Sequence, residues 1–269
     1  MKRLNKNQRD SIKNLALEGF SLNRISKELN LPKTTVYYWF RKVVGRKIKP
    51  IVINRDSKEK IGEIIGVFAG DGSFTYVPKQ WEYVIRFFMG NCEESHLKWF
   101  IKILENVFSK RPYVYCDNGQ YVIGLRSKKI SKFLKEYLAW EVHNKTNSIK
   151  LKKDPTNFSV EFLKGFLRGL IDSDGYIHPR FRSISFATTS PELHKQTKNI
   201  LDIFGIKYSQ RINQIKHWSP LYVIQVWSDD ASKLYFLVKP KKKEEAVKDL
   251  YLKDAPAGIR TRNLILSTH

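Results

Sequence analysis

Two aspartates in this 269-residue chain occupy the same place in two similar strings. Asp71 ends Gly62-Glu-Ile-Ile-Gly-Val-Phe-Ala-Gly-Asp-Gly72, and Asp174 ends Gly165-Phe-Leu-Arg-Gly-Leu-Ile-Asp-Ser-Asp-Gly175. Small residues recur at every fourth position: Gly62, Gly66 and Gly70 in the first, Gly165, Gly169 and Ser173 in the second. Folded as a helix, each string carries them as a flat stripe on one face. Two such stripes let helix backbones approach closely, which would set Asp71 and Asp174 side by side at the C-terminal ends. That placement is unfavourable in itself. A carboxylate at the negative end of a helix dipole costs roughly 0.3–1 kcal/mol, and two of them about 4 Å apart repel by about 4 kcal/mol at an effective dielectric near 20. A divalent cation removes both penalties, and Mg2+ suits one or two carboxylates completed by water and phosphate oxygens. The chemistry these residues suit is metal-assisted phosphodiester hydrolysis at a pseudo-twofold interface.

The elements around the two strings repeat as well. After the first helix (58–70), alternating patterns predict strands at 73–77 and 83–88, a helix at 93–108, strands at 113–116 and 121–126, and a helix at 129–138. The second helix, from 160, is followed by strands at 176–180 and 184–188, a helix at 191–204, strands at 207–212 and 222–227, and a helix at 231–237. The order is αββαββα twice, which is an α+β architecture: two halves, 57–147 and 159–252, joined by a Lys-rich linker at 148–158. Asp56 and Glu59 are expected to cap the first helix. Two such sheets about a pseudo-twofold axis would form a saddle able to straddle a duplex.

Residues 1–47 read as a separate three-helix module: 8–17, 22–29 capped by Ser21, and 32–42 opened by Pro32. A basic linker, 48–56, follows. The segment 253–269 reads as a disordered tail. Its run Ala257 to Asn263 is the kind that a reading frame crossing a transfer RNA gene in antisense would encode.

Composition narrows the partners. Lys and Arg number 49 against 26 Asp and Glu, giving a formal charge of +23, and this excess, interleaved with aromatic residues, points to nucleic acid rather than an anionic membrane. No apolar run reaches the length of a membrane span and no secretory signal opens the chain, so a cytoplasmic or organellar-matrix monomer is expected. Cys92 and Cys116, the two cysteines, lack metal-ligand spacing and are expected to be small buried hydrophobes. His96, His194 and His217 are expected on the surface.

The paired strings resemble the motifs of LAGLIDADG homing endonucleases. Gly169-Leu-Ile-Asp-Ser-Asp-Gly175 matches the end of that motif closely. Gly66-Val-Phe-Ala-Gly-Asp-Gly72 is looser, with Ala69 in place of the first acidic residue. The resemblance covers about residues 57–250. It implies site-specific cleavage of both strands of double-stranded DNA across the minor groove, with Mg2+, or Mn2+ in its place, held by Asp71 and Asp174 together with Gly70 and Ser173. It implies a basic residue near the attacking water, for which Lys128 or Lys129 occupies the matching region in the first half, with Ser228-Asp229-Asp230 there in the second. Asn91 and Thr189 stand near where a water-positioning residue is found. Asp172, opposite Ala69, is expected to be structural.

The string from Ser21 to Val36 resembles the helix-turn-helix of resolvase- and invertase-like DNA-binding domains, which implies DNA contacts by Lys33, Thr34, Thr35, Tyr38 and Arg41; Arg46 and Lys47 in the basic stretch would track a groove. On the strands, period-two alternation puts Ser73, Thr75 and Arg86 on the DNA side of the first sheet, and Tyr176, His178, Arg180, Arg182, Ser185, Arg211 and Gln225 on that of the second. Two other readings remain at this stage: a non-cleaving transcriptional regulator, as some sporulation regulators on this fold are, and a maturase that binds intron RNA. Without a splice nucleophile at Met1 or a His-Asn junction at the end, a free-standing or intron-encoded enzyme is expected rather than an intein.

Overall fold

A computed structural model describes residues 4–45, 50–90, 94–178, 182–214 and 218–241. The chain divides into two compact units, Met1–Pro50 and Ile51–His269.

The first unit holds α1 (Lys6–Leu17), α2 (Leu22–Glu28) and α3 (Lys33–Val44). Asn5 and Gln8 close α1 in a reciprocal capping box, and Ser21 accepts from the Arg24 amide to start α2. Ile12, Ala16, Ile25 and Val36 form a small core, edged by Leu15, Leu22, Trp39 and Phe40. The Lys42 ammonium stands over the Trp39 ring, 4.5 Å from its centroid, and the Arg9 guanidinium 5.1 Å from it, both in cation–π range.

The second unit is built on two motif helices, α4 (Lys58–Ala69) and α8 (Val160–Ser173), packed against each other. Around them stand β1 (Gly72–Val77), β2 (Glu82–Gly90), α5 (Glu94–Phe108), β3 (Tyr113–Asp117), β4 (Gln120–Arg126) and α6 (Lys128–Tyr137) in the first half. The second has β7 (Gly175–His178), β8 (Ser183–Thr188), α9 (Pro191–Ile203), β9 (Ser209–Asn213), β10 (Leu221–Trp227) and α10 (Ser228–Val238). The sheets run β1-β2-β4-β3 and β7-β8-β10-β9, every pairing antiparallel. The two halves thus share one topology. Ile85, Phe87, Ile123, Leu125, Ile184, Phe186, Ile224 and Val226 turn toward the helices and join one continuous core. Between the halves, β5 (Leu138–Ala139) pairs with β6 (Lys150–Leu151) across a short helix, α7 (Lys145–Ser148). Gln196 on α9 bonds the Leu151 backbone at both its amide and its carbonyl, at 2.8 and 2.9 Å, and Ser190 donates to the Ile149 carbonyl at 2.6 Å.

The glycine stripes explain how close the motif helices come. A Cβ on Gly62 would stand 2.1 Å from the Phe162 carbonyl oxygen, and one on Gly165 1.9 Å from that of Glu59. At the centre, a Cβ on Gly169 would lie 2.9 Å from the Gly66 Cα. Backbone lies against backbone, and no side chain fits. The glycine after each aspartate has its own reason. A Cβ on Gly72 would meet Phe68 Cα at 2.6 Å, and one on Gly175 would meet Ile171 Cα at 2.5 Å. In both motifs the chain folds back onto the last helical turn as it enters its strand.

Several expectations are corrected. Ser57 stands at the N-cap of α4 without a side-chain cap bond, because Glu59 turns instead to Arg168. His96 and His194 are buried; their helices α5 and α9 press those faces onto the core, and burial, with Lys198 adding to it, lowers the His194 pKa. Cys116 is exposed, because it lies on the edge strand β3. Cys92, His217 and the tail lie outside the described residues. Among the described residues no helix is long and apolar enough to cross a membrane.

Candidate active site and nucleic-acid interface

Asp71 and Asp174 emerge from the ends of α4 and α8, Asp174 as the C-cap of its helix and exposed, Asp71 half-buried. The helix contact brings them to one place. A Cβ on Gly70 would stand 2.9 Å from Asp174 Oδ2, so the second carboxylate lies against the residue that precedes the first. The Ser173 hydroxyl lies against the same residue, 2.2 Å from where a Gly70 Cβ would stand, and donates to the Gly169 carbonyl at 2.8 Å.

Lys145, from the segment joining the halves, brings a cation to this pair, and the sequence reading missed it. Its ammonium donates to the Ala69 carbonyl at 2.9 Å and to the Gly70 carbonyl at 3.0 Å. These are orphan acceptors of the last turn of α4. Burial pushes the Lys145 pKa down to about 8, against the opposing pull of Asp174 and Asp71. Lys129 is elsewhere: it lies on α6 and donates to the Ile51 carbonyl at 2.8 Å. Lys128 stands over the Tyr83 ring, 5.7 Å from its centroid. Both belong to the first turn of α6, which Ser127 caps by accepting from the Ile130 amide. Thr189 donates to the Thr146 carbonyl at 3.0 Å, one residue beyond Lys145. Asn91 lies outside the described residues.

Asp172 is buried, and both its carboxylate oxygens accept from the Lys241 amide at 3.0 Å; it anchors the chain after α10. Deeper along the helix pair runs a buried ionic cluster absent from the sequence reading. Arg168 pairs with Glu63 at 2.9 Å and with Glu59, and Trp99 donates to Glu63 at 2.8 Å. Burial raises the Glu63 pKa, and Arg168 opposes that shift. The signal was present: Glu63 and Arg168 interrupt the apolar middle of the two motif helices, with Glu59 one turn before Glu63.

Each sheet turns its other face away from the helices. Cross-strand register places Ser73, Arg86, Gly124 and Tyr113 in one row of the first sheet, and Thr75, Val84 and Arg126 in the next. In the second sheet, Tyr176, Ser185, Gln225 and Ser209 form one row and His178 and Ser183 begin another, with Arg211 opposite Val223. The strand residues expected to meet DNA therefore share a face in each sheet. Arg182 sits in the β7–β8 turn with a left-handed φ of 46°, 3.6 Å from Asp229. In the first unit Lys33, Thr34 and Tyr38 are exposed on α3, and Thr35 and Arg41 are half-exposed. Arg46, Lys47 and Arg180 lie outside the described residues.

With this geometry in hand, comparison defines the class. Residues 161–237 match the family model described as LAGLIDADG-like domain, so the chain carries a LAGLIDADG-like domain in its second half, and its two-sheet unit has the LAGLIDADG saddle fold. A structure of mesophilic variants of the homing endonuclease I-DmoI superposes with a TM-score of 0.52 at 14% identity, over 68% of this chain and 97% of that one. An I-DmoI variant in complex with its target DNA and magnesium superposes with a TM-score of 0.51 at 15% identity, over 69% of this chain and 98% of that one. An I-DmoI complex with DNA and calcium, and a complex of an I-DmoI variant with its target DNA in the presence of manganese, are similar as well. Among curated sequences, a DNA polymerase of Thermococcus hydrothermalis is 24% identical over 167 residues, 61% of this chain but 9% of that protein.

Proposed function

We propose that the chain is a site-specific double-stranded DNA endonuclease that hydrolyses both strands with a divalent cation. The observation that carries this reading is the convergence of Asp71, Asp174 and Lys145 at the ends of two helices packed through glycine. Among the described residues no three His, Cys, Asp or Glu side chains form a metal cluster. The donor set that is present, two carboxylates beside main-chain carbonyls, nonetheless fits Mg2+, whose remaining positions are taken by water and substrate phosphate.

When bound, such a cation activates water and stabilises the leaving oxygen of the phosphodiester. Asp71 and Asp174 hold the charge in place, one from each half and so one for each strand. Lys145 holds the Ala69 and Gly70 carbonyls, fixes the turn that carries Asp71, and sets a positive charge where phosphate oxygens gain negative charge. The helix-free sheet faces and the excess of Lys and Arg bind the duplex, and α3 of the first unit adds a second contact through Lys33, Thr34, Thr35, Tyr38 and Arg41.

A non-cleaving regulator is the alternative reading, and an intron-RNA maturase a further one; the pairing of both acids with Lys145 favours the enzyme. Selection from a random duplex library, then incubation of a plasmid carrying the selected site with Mg2+, tests it. Linearisation by the natural chain and none by Asp174→Ala supports the enzyme. Binding without cleavage by either supports the regulator, and preferential binding of structured RNA supports the maturase.

A further inference from the structure

The two sheets present unlike chemistry on their helix-free faces. In the second, the row Tyr176, Ser185, Gln225 and Ser209 is mostly hydrogen-bonding, with Arg211 and Asn213 on the edge strand, and the exposed rings there are engaged by polar neighbours: Trp227 donates to the Ser209 hydroxyl at 3.2 Å and Tyr176 meets His178 edge-on. In the first, the corresponding row ends in an aromatic platform. Tyr113 lies across Gly124: a Cβ there would stand 1.9 Å from the Tyr113 ring carbon Cζ. Glycine at 124 is what lets the ring settle onto the sheet. Tyr115, two residues along and nearly half exposed, stacks beside it with centroids 6.1 Å apart and planes 13° from parallel. The Arg126 guanidinium stands 5.4 Å from the Tyr113 ring centroid. Two parallel rings with a cation at their border make a rigid apolar surface with a phosphate-binding edge.

We propose that Tyr113 and Tyr115 determine specificity in the first half-site by apolar contact with thymine methyl groups in the major groove, whereas the second sheet reads its half-site by hydrogen bonds. This rests on the DNA reading above. Thymine presents an O4 acceptor and a 5-methyl group in the major groove, and apolar side chains contact the methyl. A stacked pair held on glycine gives up little side-chain freedom on binding, so contact with the methyl is retained as affinity. Arg126 meets the adjacent phosphate. The target is therefore asymmetric, with thymines concentrated in one half.

The test uses the full chain carrying Asp174→Asn, so that bound DNA stays whole, and a duplex selected from a random library. A hydroxyl-radical-generating chelate on the two cysteines, Cys92 and Cys116, both within the first half, marks the half-site beneath the first sheet. Replacing thymidine by deoxyuridine in that half removes only the methyl groups. The expected result is a loss of affinity of about fourfold per contacted methyl, and less than about twofold for the same replacement in the other half. Tyr115→Ser, at an exposed position, should bind the thymine and uracil duplexes alike. Equal sensitivity of the two halves, no sensitivity in either, or discrimination that survives Tyr115→Ser would each overturn the proposal while leaving the DNA reading intact. Failure to select any duplex would overturn the DNA reading and this proposal with it.

Discussion

The Lys145 ammonium lies 3.0 Å from the Gly70 carbonyl, one residue before Asp71. A lysine from the segment that joins the halves thus closes the end of the first motif helix and stands within electrostatic reach of both aspartates. The negative charge gathered by two acids and two helix C-termini is partly met by the chain's own ammonium.

Either acid should be indispensable to cutting and dispensable to binding. Asp71→Asn and Asp174→Asn should each abolish linearisation of a plasmid carrying the selected site, while affinity for the same duplex in an anisotropy titration changes by less than about threefold. Loss of binding in step with cutting would show that the pair serves the fold.

Lys145→Met should lower the cleavage rate by roughly 100-fold, the lower range for removing one electrostatic stabiliser of developing charge, with affinity little changed. Lys129→Met should leave the rate within about threefold of the natural chain, because that ammonium is engaged at the Ile51 carbonyl. Single-turnover rates of the two variants separate the two assignments.

The glycine contact is a packing requirement. Gly169→Val forces side-chain carbons into space where a Cβ would already lie 2.4 Å from the Glu63 carbonyl oxygen. Overpacking a rigid contact costs about 1–3 kcal/mol or more, and here the three nearest atoms, from Glu63, Val67 and Gly66, are all backbone. Thermal denaturation should show a fall of several degrees at least; an unchanged midpoint would mean that the helices separate readily.

Arg168→Met leaves the buried Glu63 without its counter-charge, at a cost of about 3–5 kcal/mol. Adding Glu63→Gln should recover much of that loss. Urea denaturation of the single and double variants measures the coupling, and strict additivity would contradict the buried pair.

Affinity for the selected duplex should fall steeply as salt rises, since each phosphate contact releases counterions. Removing residues 1–50, a compact unit of the chain, should weaken binding and shorten the footprint while the remainder stays folded by circular dichroism.

Much of this was legible because the chain says it twice. The small-residue stripes and the Asp-Gly closures are local patterns, and repetition of the same element order around them gave the αββαββα order of both halves. What escaped depends on path rather than pattern. Lys145 is one lysine in a lysine-rich chain, and only the route of the β5–α7–β6 segment takes it to Gly70. The burial of His96 and His194 follows from which face α5 and α9 turn inward, a rotation that short apolar runs left open. Tyr113 over Gly124 depends on strand register, which period-two alternation leaves undetermined along the strand. Glu63 and Arg168 were visible as charges in apolar helices, but their pairing is long-range and becomes evident only once the helices touch.

The central claim is that Asp71 and Asp174 together hold a divalent cation on DNA. Anomalous diffraction from crystals of the full chain bound to its selected duplex with Mn2+ tests it most directly. The expected result is a manganese peak within coordinating distance of both carboxylates and of a phosphate oxygen, lost in Asp174→Asn. Well-ordered DNA across the two sheets with no peak between the aspartates would contradict it.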